Sequence, residues 1–364
     1  MAQISDNDPI FEQLEQWHNE DEYQKILDKI EEIPEEDRSN KLLFRKISAL
    51  NNLTRFDEAK KELKLLSYKC TEPHEVARLY YLLGYIYDNT GCEMKAVECY
   101  RNTRSLDPEF EGVQELIDNS LKYVNKDLET ARNAFAKLFP DVSDAIEKAE
   151  NPLKLDVEDA LPYISLVEAS FIPSRLGIKL PLDKMFFKCD EADKPRVKAF
   201  LEQVYGVKDI ESLRQWYANN RNAYQFARMT AAMKENKKLP TKGLTIPGRV
   251  RYDATNLIIS YMKDFLPEAG VAAWDYSTVL ALARLAYACD ILSNTEFGET
   301  FIFFSDECKK NFSSWEEFTR STVIGGFYNA ACFETPYDIK TATRFGVGAG
   351  VLCMQTYPQV TWIG

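Results

Sequence analysis

The sequence predicts an all-α protein: a short helical solenoid followed by a helical globular domain. Apolar residues recur at i, i+3, i+4 and i+7 in both halves, and between residues 8 and 138 the breakers come every 15 to 20 residues, the rhythm of paired helices. No convincing period-2 alternation bounded by turn residues marks a strand in the second half. The 364 residues leave room for two domains at roughly 150 residues each, and charge and glycine divide them. Residues 1–150 hold 20 Lys and Arg against 32 Asp and Glu, the whole of the −12 net charge, whereas 151–364 hold 25 of each. The first part has only Gly84, Gly91 and Gly112 among the chain's 15 glycines. The boundary is placed near residue 150, where Pro140, Pro152 and Pro162 punctuate the chain, giving a repeat region 1–150 and a helical domain 151–364.

In chain order, Phe11, Leu14 and Trp17 fall on one predicted helix, and Tyr23, Ile26, Ile30 and Ile33 on the next, which Pro34 closes. Leu43, Ile47 and Leu50 then share a helix face, and Phe56-Asp57-Glu58-Ala59 opens a following helix carrying Leu63 and Leu66. The most regular block is Ala77–Pro108. Tyr80, Leu83, Gly84 and Tyr87 form one stripe, Thr90-Gly91 stops it, and Ala96, Tyr100 and Thr103 continue on a second helix that ends before Asp107-Pro108. Gly84 and Ala96 are small enough to let two antiparallel helices approach closely. Leu121, Val124, Leu128, Ala131, Phe135 and Leu138 then make one long amphipathic stripe.

The Ala77–Pro108 block resembles a tetratricopeptide repeat, with nearly every signature position occupied. A poorer copy lies 37 residues earlier, with Ile47 where that family prefers a small residue, and a degenerate copy begins at Phe11. The resemblance implies a solenoid whose groove holds an extended peptide, with the Leu121–Leu138 helix capping its open end. The groove positions it implies are Lys41, Phe44, Ser48 and Asn52, then Arg78, Tyr81, Tyr85 and Asn89. The carboxylate-clamp version of such a groove needs Lys and Asn where this chain has Phe44, Ser48, Tyr81 and Tyr85, so a chaperone-type acidic C-terminus is not the expected ligand. The negative charge argues against nucleic acid or an anionic membrane as partner of this half. The plainer alternative is that the repeats only orient or dimerise the second half.

Beyond residue 150, Val197, Leu201, Val204 and Tyr205 form a stripe that Gly206 terminates, and Asp209 caps a helix bearing Leu213, Trp216 and Tyr217. A helix with Phe226, Ala227 and Met233 follows. Asp253 is expected to start another, with Leu257, Ile258, Tyr261 and Phe265 on one face, ended by Pro267 and Gly270. The densest segment runs from Trp274 to Asn329, through Trp274-Asp275, Ala283-Arg284-xx-Tyr287 and Ser313-Ser314-Trp315-Glu316-Glu317-Phe318 to Gly325-Gly326. With Phe200–Val207, it resembles a bacterial family known as domain of unknown function 1266 over roughly residues 195–330. That resemblance implies a helical fold and no activity. Phe327-Tyr328 stands where the family commonly ends in tryptophan, and the tail after Ala330 has no counterpart in it.

Composition narrows the chemistry. The only histidines, His18 and His74, lie in the first half, so the second half has no imidazole for base, nucleophile or metal work. None of the eight cysteines forms a CxxC pair, so no metal or cofactor is expected, and scattered cysteines without an export signal read as reduced thiols of a cytoplasmic protein. No run of about 18 apolar residues offers a membrane span.

Most of the dense segment has a structural reading. Asp275 precedes a helical stripe as a cap, and Ser293-xx-Glu296 and Ser313-xx-Glu316 are capping boxes. Glu316 and Arg320 are i,i+4 partners, and Trp274 and Trp315 anchor helix starts. Arg284 stands out because it lies inside the apolar run Val279–Cys289, where a guanidinium is costly to bury unless a carboxylate meets it; Asp275, Asp290, Glu316 and Glu317 are the candidate partners. Arg284, Glu316, Asp275 and Arg320 are therefore the candidate catalytic or anion-binding set. Gly346-Val347-Gly348-Ala349-Gly350 is not a phosphate loop: it lacks the GxGxxG spacing and the Lys-Ser/Thr ending, and reads as small-residue packing or a turn. Residues 228–251 carry seven basic residues against Glu235 alone and read as a solvated loop, with contact to phosphates or docking on the acidic half as the alternatives. The functional expectation is an interaction or scaffold protein that binds a peptide or protein through the repeat groove; the alternative is an enzyme or small-anion-binding domain around Arg284.

Overall fold

The computed structural model of the chain describes residues 8–154, 163–167, 172, 176–178, 180–181, 184–235, 237, 239–244, 246–332 and 338–362. The expected all-α fold is observed. Among the described residues the one piece of extended pairing is an isolated bridge between Leu153 and Val360. Pro162 and Lys238 lie outside the described residues.

The chain divides into two compact units, Met1–Lys126 with Gly243–Ala254 and Pro336–Asp338, and Asp127–Lys242 with Thr255–Thr335 and Ile339–Gly364. The first unit begins with three helical hairpins: α1 (Ile10–Asn19) and α2 (Tyr23–Glu31), α3 (Asn40–Asn52) and α4 (Phe56–Ser67), α5 (Pro73–Asn89) and α6 (Glu93–Leu106). Local chemistry starts and stops them. Ser39 accepts from the Leu42 N–H at the start of α3, Pro73 opens α5 where its missing N–H costs nothing, and Gly91 takes the left-handed backbone (φ 74°) that lets the chain reverse into α6. The reason for glycine at 84 is steric: a Cβ there would lie 2.7 Å from the Tyr100 ring and 3.0 Å from Cys99 Cβ. Thr103 completes the α5–α6 crossing by donating to the Ala77 carbonyl at 3.2 Å.

Helix α7 (Val113–Glu147) is uninterrupted through Pro140, supported by the buried Leu138, Phe139 and Val142 around it. Through Lys126 it belongs to the first unit and from Asp127 to the second. The rest of the second unit comprises α8 (Lys194–Phe200), α9 (Ile210–Asn220), α10 (Ala223–Lys234), the later part of α11 (Ile246–Met262), α12 (Ala272–Ala288), α13 (Asn294–Asn311), α14 (Trp315–Cys332) and α15 (Ile339–Thr356). Gly206 ends the α8 segment in the left-handed region (φ 70°), and Asp209 caps α9 in a reciprocal box with Ser212, both as the residues predict.

Helix α12 is buried along its whole length, which makes it the centre of this unit. Trp274 on α12 presses against Gly325 and Gly326 on α14; a Cβ on Gly325 would lie 2.3 Å from Trp274 Cβ. Gly346 and Gly350 do the same for α15, facing Phe135 and Leu138 of α7, so the GVGAG run is small-residue packing inside a helix. The tail after Ala330 joins this core: the Trp315 indole donates to the Val360 carbonyl at 3.0 Å and stacks on Tyr357 at 4.2 Å between centroids.

Three local readings need correction. Asp253 does not start a helix, because α11 begins at Ile246 and Pro247 occupies its first turn, where proline is tolerated. Residues 228–251 are correspondingly not one loop, since Arg228 lies on α10 and Arg249 and Arg251 on α11. Asp275 is not an N-cap: α12 starts at Ala272 after Val271, which leaves Asp275 inside the first turn, 5 % exposed.

Candidate functional site

The groove residues expected from the repeat resemblance lie on the first helices of the second and third hairpins. Lys41, Phe44, Ser48 and Asn52 recur along one face of α3, and Arg78, Tyr81, Tyr85 and Asn89 along one face of α5, because each set keeps the three-to-four-residue step of a helix. The structure brings these faces together. Lys41 Nζ sits 4.1 Å from the Phe11 ring of α1, Arg45 of α3 pairs with Glu15 of α1, and the Arg78 guanidinium lies 5.1 Å from the centroid of Phe44. Tyr81 packs 4.9 Å from Phe110 and 6.1 Å from Tyr100. Asn51, one position off this face, is buried and donates to the Leu82 carbonyl at 3.3 Å, tying α3 to α5.

These contacts sort the expected residues. Phe44, only 3 % exposed, is the floor beneath Arg78 rather than an open contact. Arg78, Tyr81 and Tyr85 are half-buried, whereas Asn89 is exposed and gives its amide to the Tyr85 carbonyl at 2.9 Å. Burial, then the like charge of Arg45, pulls the Arg78 pKa below its usual value, with Glu15 opposing. Glu15 is already committed to Arg45, and among the described residues no carboxylate pairs with Arg78. Arg45, Glu15 and Phe110 were not expected at this site. The helical step from Lys41 to Arg45 could have signalled the first; the other two depend on how helices pair.

Another polar cluster of this unit was invisible in the sequence. Glu98 on α6 is 3 % exposed and pairs with Arg101 at 2.6 Å, and burial raises its carboxyl to about 7 against the pull of that arginine. Beside it, Asn102 donates to Asp253 at 3.1 Å, and Arg249 holds the same carboxylate at 3.0 Å. The 243–254 segment thus joins α6 through the carboxylate of Asp253.

In the second unit, Arg284 is 1 % exposed on α12. Its hydrogen bonds go to neutral acceptors, Ser165 Oγ at 3.2 Å, the Lys184 carbonyl at 3.2 Å and the Pro181 carbonyl, and its Nε has no partner among the described residues. Burial alone lowers its pKa to about 10. The expected carboxylate pair with Arg284 is therefore not formed among the described residues. Asp290 instead holds Lys188 at 2.8 Å and Lys194 at 2.5 Å at the end of α12. Glu316 pairs with Arg320 at 2.5 Å, as its spacing predicts. The capping box at Ser293 and Glu296 forms, but the second one lies one residue further on: Ser314 accepts from the Glu317 N–H, and Glu317 accepts from the Ser313 N–H at 2.7 Å. The helix starts at Trp315, which puts Glu317, not Glu316, at the third position of the first turn.

Among the described residues no three His, Cys, Asp or Glu side chains are grouped to hold a metal, and no helix is long and apolar enough to cross a membrane. No curated protein and no solved structure matches the chain. Residues 189–349, less than half of the chain, match the family described as Protein of unknown function (DUF1266), so the match runs past Ala330, where the resemblance read from the sequence ends.

Proposed function

We propose that the first unit is a tetratricopeptide-like repeat whose α1, α3 and α5 face binds a peptide or protein partner. The observation behind this reading is the half-buried row Arg78, Tyr81 and Tyr85 beside Arg45, cationic and aromatic groups set on a helical scaffold within a segment of net charge −12. Rings with polar tips and arginine are the side chains that carry most binding energy at interfaces, since they bury large area at low entropic cost. Selection of a displayed random-peptide library on the full chain tests the reading. A shared sequence motif is expected with the natural chain and none with the Tyr81→Ala, Tyr85→Ala double variant; equal enrichment on both would sink it.

A second reading, a small-anion or catalytic site in the second unit, draws on Arg284, whose charge meets only neutral acceptors among the described residues. Its test is Arg284→Met with inorganic phosphate and sulfate. Either anion should raise the melting temperature of the natural chain and leave that of the variant unmoved; no shift in the natural chain removes this reading.

A further inference from the structure

Resting on the peptide-binding reading above, we infer that the partner peptide carries an internal acidic side chain, received by Arg78, with an apolar side chain about three residues away against Tyr81 and Tyr85.

The charge balance of the face leads there. Arg45 and Arg78 reach this face from α3 and α5, and Glu15, the anion acting on Arg78, is held by Arg45. Arg78 has already lost much of its water to Phe44 below and Tyr81 beside it, and it is repelled by Arg45. Much of the desolvation cost of an ion pair is therefore met before a ligand arrives, and an incoming carboxylate adds a charge-assisted, fork-shaped pair with the guanidinium. The surrounding −12 charge opposes this locally positive face, so a polyanion such as nucleic acid is repelled overall while one well-placed carboxylate is admitted. Charge complementarity thus selects an acidic peptide rather than a basic or uncharged one.

Spacing supplies the second half of the motif. Arg78 and Tyr85 are two helical turns apart, roughly 10 Å along α5, which a peptide in the polyproline II conformation covers in one turn of about three residues, with the side chains at either end on the same side. Tyr81 lies between them with one side packed on Phe110. A carboxylate on Arg78 therefore leaves the side chain about three positions along the peptide over the Tyr81 and Tyr85 rings.

The test uses the full chain and a display library in which every random peptide is fused at its C-terminus, so that no free terminal carboxylate is offered. The natural chain is expected to select peptides with Asp or Glu about three positions from an aliphatic or aromatic residue. The best peptide, synthesised with capped ends, should lose about tenfold or more in affinity on Arg78→Gln and less on Arg78→Lys. Replacing its acidic residue by the amide should cost a similar factor on the natural chain and little further on Arg78→Gln. Melting curves of both variants check that they fold; Arg78 has no carboxylate partner among the described residues whose loss would undo the unit. Selection of peptides without an acidic residue, or binding unchanged within twofold on Arg78→Gln, overturns the inference while leaving the binding face standing if the Tyr81→Ala, Tyr85→Ala chain fails to select. A motif-free selection on the natural chain overturns both. Equal, Arg78-dependent binding of a peptide whose one carboxylate is its free C-terminus also overturns the internal acid.

Discussion

The Arg78 guanidinium on α5 rests over the ring of Phe44 on α3, 5.1 Å from its centroid, so the cation at the centre of the proposed binding face is set by an aromatic side chain that is itself nearly inaccessible. Phe44 thereby does two things: it fills the layer between two first helices and it fixes where the charge sits. Phe44→Ala is expected to lower the unfolding free energy by about 3–5 kcal/mol, since it empties a buried aromatic site. Phe44→Leu should cost less and still weaken peptide binding. Denaturant titration of both variants reads the first effect, and affinity for the selected peptide the second.

The α12–α14 crossing depends on two glycines. Gly325→Ala puts a methyl group 2.3 Å from Trp274 Cβ, backbone-borne on both sides, so the helices must separate; a loss of about 1–3 kcal/mol or more is expected. Gly298 on α13 is the control, because a Cβ there meets nothing within 4 Å. Gly298→Ala should raise stability by roughly 0.5–1 kcal/mol through helix propensity alone. Opposite signs for the two melting-temperature shifts are the expected outcome.

Glu98 makes the first unit sensitive to pH. Burial raises its carboxyl from 4.5 to about 7 in the folded state, so folding favours the protonated form. Its contribution to stability is fully present below pH 4.5 and is lost as pH rises through about 7, with a slope of at most about 1.4 kcal/mol per unit. Glu98→Gln should abolish that component and be more stable than the natural chain at pH 8. Thermal melts from pH 5 to 8 check it; parallel curves for the two chains would show that Glu98 stays ionised throughout.

The start of α14 distinguishes two adjacent glutamates. Glu317 closes the cap through the Ser313 and Glu317 N–H groups, whereas Glu316 makes a partly exposed pair with Arg320. Glu317→Ala is expected to cost about 1 kcal/mol and Glu316→Ala no more than about 0.5. The ranking, read from urea midpoints, reverses if the box is centred on Ser313.

What the sequence determined by itself is the set of helices and their ends. Phe56 opening α4, Thr90-Gly91 stopping α5, Gly206 ending its segment and Ser293 boxing with Glu296 all act within a few residues along the chain, where backbone conformation and hydrogen bonds to the next turn decide the outcome. The Glu316–Arg320 pair was legible for the same reason. Where two possible starts lie close together, as for Pro247 ahead of Asp253 or Ser314 beside Ser313, residue type alone did not choose between them.

Tertiary structure alone decided the partners. Arg284 takes acceptors about a hundred residues away, Asn102 meets Asp253, Trp315 meets Val360, and Gly325 owes its identity to Trp274. The face formed by Arg78, Phe44, Arg45 and Tyr81 is of both kinds. Helical spacing placed each residue on its own helix, but only the lateral packing of α1, α3 and α5 put Glu15 on Arg45 and left Arg78 stacked on Phe44. A residue's position on a helix is set by its neighbours in sequence; the charge it meets there is set by which helices pack against it.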